Sequence, residues 1–454
     1  METISENNKS WTFKSILLLY FMLYFCIGIL PVNINNLVMD LSGTTEFGIG
    51  IIIVIQLSVG TFSLLCFGYF GEKISKIISR KRLFVCTNFI WVLSYGLNFV
   101  APNYQYYLFF MILSSIGSGA FIPIGFSIIG DIYPPIKRGN KYGIMALGLN
   151  LGSGMGLLFG GLLGGYTGPG GWRWAYLLGT SISFLALILY ILKGVDPERG
   201  RSEPEFENFQ GIINYNYKIT YKTVLQLFQK KTVRGILLFI ITNGLATATL
   251  GNWAIFYLAQ KIIAEDSGLI ATTLYLLAGI GILPGSIVGG KLGDKYVKSD
   301  KRNGRIFVTL IGLIVGIILL MVFYLLPVPS STPLEIMMSW ILFLILGMLG
   351  NFFASLYSGN VFAIYSEVSL PETRSTVNAF NGVMSNIGAI IGNLILSSFI
   401  QQDITFLPFA IFLVLFIWML GSLFWIIALK NYSREVKECS ELKILRRSEL
   451  EKNL

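Results

Sequence analysis

Twelve long, mostly apolar stretches recur along this chain, at 14–38, 47–71, 83–101, 104–130, 142–166, 172–194, 233–261, 267–291, 305–327, 335–362, 374–400 and 405–430. About 20 apolar residues in a helix cross a bilayer. In lipid the backbone must satisfy its own polar groups, which leaves helices or closed barrels. The expected fold is therefore an all-α membrane protein with twelve transmembrane helices. Composition agrees: of 454 residues 54% are hydrophobic and 13% charged, against about 25% charged in soluble domains. The first stretch is too long for a signal-peptide core and has no small-residue cleavage pattern after it, so it is expected to be retained.

Charge position sets the topology. Assigning alternate loops to opposite sides puts 32 of the 34 Lys and Arg on the side of both termini, leaving only Arg173 and Lys261 on the other. The positive-inside rule then makes both termini cytoplasmic, in a multi-pass protein of the cell (plasma or inner) membrane. The net charge of +10 is thus a topology signal, and no nucleic-acid partner is expected. The expected partners are membrane lipid and a small-molecule substrate, with the chain acting as a monomer. The polar segment 195–232 separates an N-terminal six-helix half (1–194) from a C-terminal one (233–430). The basic end of that linker is expected on the membrane face. The mixed-sign tail 431–454 is expected to be a solvated helix or disordered, with docking as the alternative.

The fifth stretch carries Gly148, Gly152, Gly156, Gly160 and Gly164, each four residues apart. This bare ridge would weaken a helix in water but admits a close neighbour in a bilayer. The halves repeat. A shift of 222 carries Gly68, Gly71, Glu72, Lys73, Lys76 and Arg80 onto Gly290, Gly293, Asp294, Lys295, Lys298 and Arg302. A shift of 236 carries Asp131, Pro135, Arg138, Asn150, Gly152 and Gly156 onto Glu367, Pro371, Arg374, Asn386, Gly388 and Gly392. Two pseudo-symmetric halves in the same orientation follow, with helices 5 and 11 expected as moving seams between them. The charged set Glu72, Arg80, Asp131, Arg138 and its copy Asp294, Arg302, Glu367, Arg374 reads as a cytoplasmic gate.

The chain has no histidine, and Cys26, Cys66, Cys86 and Cys439 lack metal-ligand spacing, so no metal, cofactor or enzymatic site is expected. By the boundaries above, no Asp, Glu, Lys or Arg lies near the centre of a segment, where an ionisable group would mark function. The polar groups there are amides and hydroxyls. Asn33, Gln56, Ser118, Asn150, Asn252, Asn381 and Asn386, with Trp253, form the expected substrate-binding set, against the plainer reading of helix-to-helix bonds. Trp172 and Trp174 read as interface anchors, and Arg173 as a lipid-phosphate contact or a snorkelling cation.

GYFGEKISKIISRKR resembles the helix 2–3 loop of the major facilitator superfamily, with glutamate for the usual aspartate, and GGKLGDKY resembles its second copy. DIYPPIKRG through GWRWAY, and DPERG, look similar to the Spinster group; GILP and TLGNWAIFYL fit it less tightly. The resemblance implies the major facilitator fold and transport of lysophospholipid or sphingosine-type lipids, with proton-coupled export in some bacterial relatives. The group's charged pairs are missing: Met22 and Leu23 stand where an Asp–Arg pair is expected, and Met111 and Ser118 where an arginine and a glutamate are. The expected function is a secondary transporter of a small organic or amphipathic substrate, including a lysolipid, by alternating access. A proton-coupled multidrug exporter and a non-transporting receptor or scaffold are the alternatives.

Overall fold

The computed structural model describes residues 6–75, 78–133, 135–166, 168–196, 221–262, 267–299, 303–326, 333–369 and 374–452. Among these described residues, twelve helices are long and apolar enough to cross a membrane. They are α1 (Glu6–Val32), α2 (Glu46–Phe67), α3 (Arg80–Val100), α4 (Tyr104–Ile132), α5 (Leu147–Gly165), α6 (Gly171–Lys193), α7 (Lys231–Lys261), α8 (Ser267–Val297), α9 (Gly304–Leu325), α10 (Trp340–Tyr365), α11 (Thr376–Gln402) and α12 (Ile404–Leu442). Each expected segment has its helix. The largest differences are the start of α1 and the end of α12, where the helix continues past the apolar run because water satisfies the outlying turns.

The chain divides into two compact units, Met1–Tyr215 with Gly268–Thr272, and Asn216–Ser267 with Thr273–Leu454. Inside each, the neighbours correspond: α1 lies on α5 and α6, α2 and α3 on α4, and α3 on α6; α7 lies on α11 and α12, α8 and α9 on α10, and α9 on α12. The first unit buries an aromatic core in which Tyr95 stacks on Tyr176 (5.6 Å) and Tyr107 meets Trp172 edge-on.

The first segment is interrupted. α1 ends at Val32 and a short helix, Ile34–Asp40, follows. Pro31 lacks the N–H that a continuous helix needs. The Asn33 backbone N–H turns back to the Leu30 carbonyl (3.0 Å), and its side-chain Nδ2 donates to the Ile29 carbonyl (3.0 Å) in its stead. α4 changes pitch at the π-turn Ile122–Phe126, which contains Pro123, and α10 at the tighter turn Ser355–Tyr357. Such mid-helix irregularities need a local cause; the proline supplies it in α4.

The glycine ridge has its partner within its own half. A methyl at Gly152 or Gly156 would come within 3.0 Å of the Phe21 or Phe25 carbonyl oxygen of α1, and one at Gly148 would meet the Leu17 side chain. Gly160 faces Val32 and Asn33, and Gly164 faces Asn33 and Asn36. In the second half Gly388 faces the Ile241 carbonyl and Gly392 the Leu245 carbonyl, both on α7. The ridges therefore clamp α5 to α1 and α11 to α7. The bare face of each ridge is thus filled by backbone from its own half. A further ridge, Gly281, Gly285, Gly289 and Gly293 on α8, meets the Met348, Phe352 and Leu356 carbonyls and Asn360 of α10. It has the same four-residue spacing and escaped the sequence reading.

The start of the tail is docked, the alternative rather than the main expectation. In the helix Trp425–Lys452, Tyr432, Glu435, Val436 and Cys439 are buried at positions i, i+3, i+4 and i+7, one helical face. The Glu435 carboxylate accepts the Lys231 N–H (2.7 Å) and Thr232 N–H (3.2 Å), capping α7 from a distance, where a negative charge also suits the helix dipole. Ser433 Oγ donates to Asn303 Oδ1 (2.7 Å). The linker's last part, Tyr221–Gln229, is a helix held to the second unit by Phe228 against Phe380 (ring centroids 4.6 Å) and Lys230 Nζ on the Val368 carbonyl (2.5 Å). The rest of the linker, 197–220, lies outside the described residues.

Gly156→Val must push α5 off the α1 backbone, at a cost of about 2 kcal/mol, so a lower melting midpoint in detergent is expected. Gly165→Ala, with nothing within 4 Å of the added methyl, leaves the midpoint unchanged. Cys439, 0% exposed, is expected to resist maleimide in the native protein and to react when Glu435→Ala frees the tail, as read by mass shift.

Candidate functional site

Within each half, most of the described Lys and Arg lie at one end of its helices, here termed its basic end. There each half holds one buried arginine at the start of its third helix. Arg80, 7% exposed, opens α3 behind the N-cap Ser79, whose hydroxyl accepts the Arg82 N–H. Arg80 Nη1 donates to Asp131 Oδ2 (2.5 Å) and Ser127 Oγ (3.1 Å) near the end of α4, and Nε to Asp196 Oδ1 (3.2 Å) after α6. Asp196 also accepts the Lys81 N–H (3.2 Å). One guanidinium thus ties three helix ends, using the fork of donors that suits arginine to carboxylates.

The second half uses Arg305, 4% exposed, at the start of α9. Its Nη2 lies 2.8 Å from Asp294 Oδ1 on α8 and 3.5 Å from Glu367 Oε1 after α10. Tyr432 Oη donates to the other oxygen of Glu367. Arg302, expected in this cluster, lies outside the described residues. From Glu72 to Asp294 the shift is 222, whereas from Arg80 to Arg305 it is 225, so three residues are added in the loop before α9. The backbones of Glu72, Arg138 and Arg374 lie in helices, while their side chains are outside the described residues. The clusters are unequal. Arg80 has two acids and a hydroxyl. Arg305 has two acids, of which Asp294 is 65% exposed, and its buried Nε has no hydrogen-bond partner.

The opposite end carries Arg173 and Lys261, and both are structural. Arg173 Nε and Trp172 Nε1 donate to Asp40 Oδ2 (2.8 and 3.0 Å). Arg173 Nη1 donates to the carbonyls of Phe99 (3.0 Å) and Ala101 (2.7 Å). Lys261 Nζ donates to the carbonyls of Tyr324 and, at 3.2 Å, Leu326. Shifting 99 and 101 by 225 gives 324 and 326, so the two cations cap equivalent carbonyls at the ends of α3 and α9. Trp172 is fully buried, which corrects its reading as an interface anchor: its indole is spent on Asp40 and on the aromatic core. Trp174, by contrast, is 53% exposed.

The amides separate into two groups. Asn33 is fully buried; its Nδ2 also donates to the Gly160 carbonyl (3.0 Å) and its Oδ1 accepts from Asn36 (2.8 Å). Trp253 is fully buried and donates to Asn393 Oδ1 (3.0 Å), which also accepts from Asn252 Nδ2 (3.2 Å). Asn33 and Trp253 therefore leave the substrate-binding set, because their polar atoms are committed to joining α1 to α5 and α7 to α11. Asn393, which makes the second joint, has no marker in the sequence beyond its place after Gly392. The others stay accessible. Gln56 is half-buried, with Nε2 on Met111 Sδ (3.1 Å), a weak acceptor. Ser118 is half-buried, Asn150 exposed, Asn252 and Asn386 half-buried, and half-buried Asn381 accepts from Tyr365 Oη (3.2 Å). Among the described residues, no Asp, Glu, Lys or Arg lies near the middle of a membrane-crossing helix.

Comparison with known proteins accords with this architecture. A bacterial homologue of the human lysosomal transporter Spinster, in an inward-facing and unoccupied crystal structure, superposes with a TM-score of 0.71 over 95% of this chain and 99% of that one, at 16% identity. The nucleoside transporter NupG superposes at 0.59 over 94% of this chain and 99% of that one, at 11% identity. Protein spinster homolog 3 of Danio rerio is 22% identical over 406 residues, 83% of this chain and 76% of that protein. The Bacillus subtilis protein described as an uncharacterized MFS-type transporter, YtbD, is 28% identical over 271 residues, 56% of this chain and 62% of that protein. Protein spinster homolog 3 of Homo sapiens is 26% identical over 266 residues, 55% of this chain and 49% of that protein. The matched region is thus less than two thirds of the length of these last two relatives. The family model of the Major Facilitator Superfamily matches residues 16–392, and the chain belongs to that superfamily.

Proposed function

We propose that the protein is a secondary transporter that moves a small neutral or amphipathic molecule, a lysolipid included, by alternating access. Family membership supports the transport reading. The substrate class rests on one observation: the accessible polar groups of the membrane-crossing helices are amides and hydroxyls, Gln56, Ser118, Asn150, Asn252, Asn381 and Asn386, with no central carboxylate among the described residues. Amides present donors and acceptors without demanding a counter-charge, and a proton carrier at mid-membrane would require an ionisable side chain. The proposed transport is therefore uncoupled from protons. The basic end is proposed to face the cytoplasm of a cell membrane, by the positive-inside rule.

The arginine clusters are proposed as the gate of that face, with Arg305 and Asp196 added to the expected set. Each holds the ends of several helices together, so it favours the conformation in which those ends stay close. The first is the firmer, since its carboxylates are more enclosed.

Flux of labelled lysolipid and of a cationic dye into proteoliposomes, with and without a pH gradient, tests the function. Lysolipid uptake indifferent to the gradient is expected. Gradient-driven dye flux would turn the reading into a proton-coupled multidrug exporter, and no flux of either would turn it into a receptor or scaffold. Asp131→Asn leaves a buried guanidinium short of a charged partner and is expected to cost roughly 2 kcal/mol. Asp294→Asn, at an exposed carboxylate, costs under about 1 kcal/mol. Thermal melts of the two single variants compare the clusters, and equal shifts would sink their ranking.

A further inference from the structure

At the basic end of the first half, the start of α1 meets the end of α6. The Val195 N–H donates to Thr12 Oγ1 (3.0 Å), fixing the chain after α6 beside the first turns of α1. Two cations approach the Trp11 indole there: Lys193 Nζ lies 4.3 Å from its ring centroid and Lys14 Nζ 5.3 Å. Both lysines are exposed and the indole is half-buried. Nearby cations are otherwise engaged. Lys9 pairs with Glu6 (2.7 Å), Lys81 Nζ holds the Gly194 carbonyl (2.7 Å), and Lys141 lies over the Phe13 and Tyr133 rings. Lys14 and Lys193 form no ion pair among the described residues.

Two ammonium groups on one indole repel each other, and an anion between them removes the repulsion. The position identifies the anion's source. Lys193 is the last residue of a membrane-crossing helix, and tryptophan with lysine is the composition of the headgroup layer. On the same helix, Leu185, Ile188 and Leu192 form an exposed apolar stripe at i, i+3 and i+7 (62%, 39% and 71% exposed), along which an acyl chain would lie. We propose that Trp11, Lys14 and Lys193 bind the phosphate of an anionic phospholipid in the leaflet at the basic end. The lipid-phosphate contact expected at Arg173 is thus relocated to the opposite end of the same helix, because Arg173 is occupied by Asp40 and two carbonyls.

The test is native mass spectrometry of the full-length protein, released from vesicles containing phosphatidylglycerol and phosphatidylcholine, with retained lipid counted. Wild type is expected to retain phosphatidylglycerol selectively. Lys14→Gln with Lys193→Gln is expected to bind it about thirtyfold more weakly, at about 1 kcal/mol per surface lysine, while Lys14→Arg with Lys193→Arg retains it. The arginine pair separates loss of charge from loss of fold. Equal retention of both lipids by wild type, undiminished phosphatidylglycerol in the glutamine pair, or displacement of the lipid by inorganic phosphate would each overturn the site. The readout is lipid occupancy, so it stands apart from the outcome of the flux assays.

Discussion

The structure depends on backbone meeting backbone. In hydrocarbon, helices gain nothing by hiding apolar surface from water, so association rests on packing and on a few polar bonds. Carbonyl oxygens of Phe21 and Phe25 occupy space that a side chain at Gly152 or Gly156 would need, and those of Ile241 and Leu245 do so against Gly388 and Gly392. Because α1 is fixed on α5 this way, its other features fall into place. Asn33 reaches the Gly160 carbonyl, and Trp11 stands beside the end of α6. The α2–α4 joint shows the same economy with its parts exchanged. Ser63 of α2 donates to the Ile116 carbonyl of α4 (2.6 Å), while Ser355 of α10 donates to the Ile282 carbonyl of α8 (3.1 Å). The residue facing each serine's helix at the matching level is a glycine, Gly119 in one half and Gly285 in the other.

Helix ends pose a second problem, since their last carbonyls and first N–H groups have no partners within the helix. The halves meet it with different residues at equivalent places. The end of α3 is capped by Arg173 from α6, itself held by Asp40; the end of α9 is capped by Lys261 and the Tyr257 hydroxyl, both from α7. The start of α7 is capped by Glu435 from the tail. What is preserved across the repeat is the unmet backbone group, and any cation or carboxylate that the fold brings near can serve it. This explains why a repeat found by matching letters locates the charge clusters but not every member of them.

The amides divide by the same logic. An unbonded amide is costly in a low-dielectric interior, and Asn33 and Asn393 are bonded as joints. Those on less crowded faces, such as Gln56 with only a thioether to meet, keep capacity for a ligand. Nothing in a linear pattern distinguishes an asparagine pointing at a glycine ridge from one pointing away, because the distinction lies in the rotation of the helix about its axis.

Taken alone, the sequence determined the twelve membrane-crossing helices, their grouping into two repeated halves and the lack of a central charge. Each of these follows from local apolarity, from spacing, or from residue types simply present or missing. Only the tertiary structure decided that the glycine ridges grip α1 and α7 inside each half, that Asp196 joins the first charge cluster and Arg305 and Tyr432 the second, and that Asn393 joins α7 to α11. It also decided that Trp172 is core, and that Lys14 and Lys193 share an indole. These depend on which distant carbonyl, ring or acid faces a side chain, a matter of helix rotation and loop length that residue order does not express.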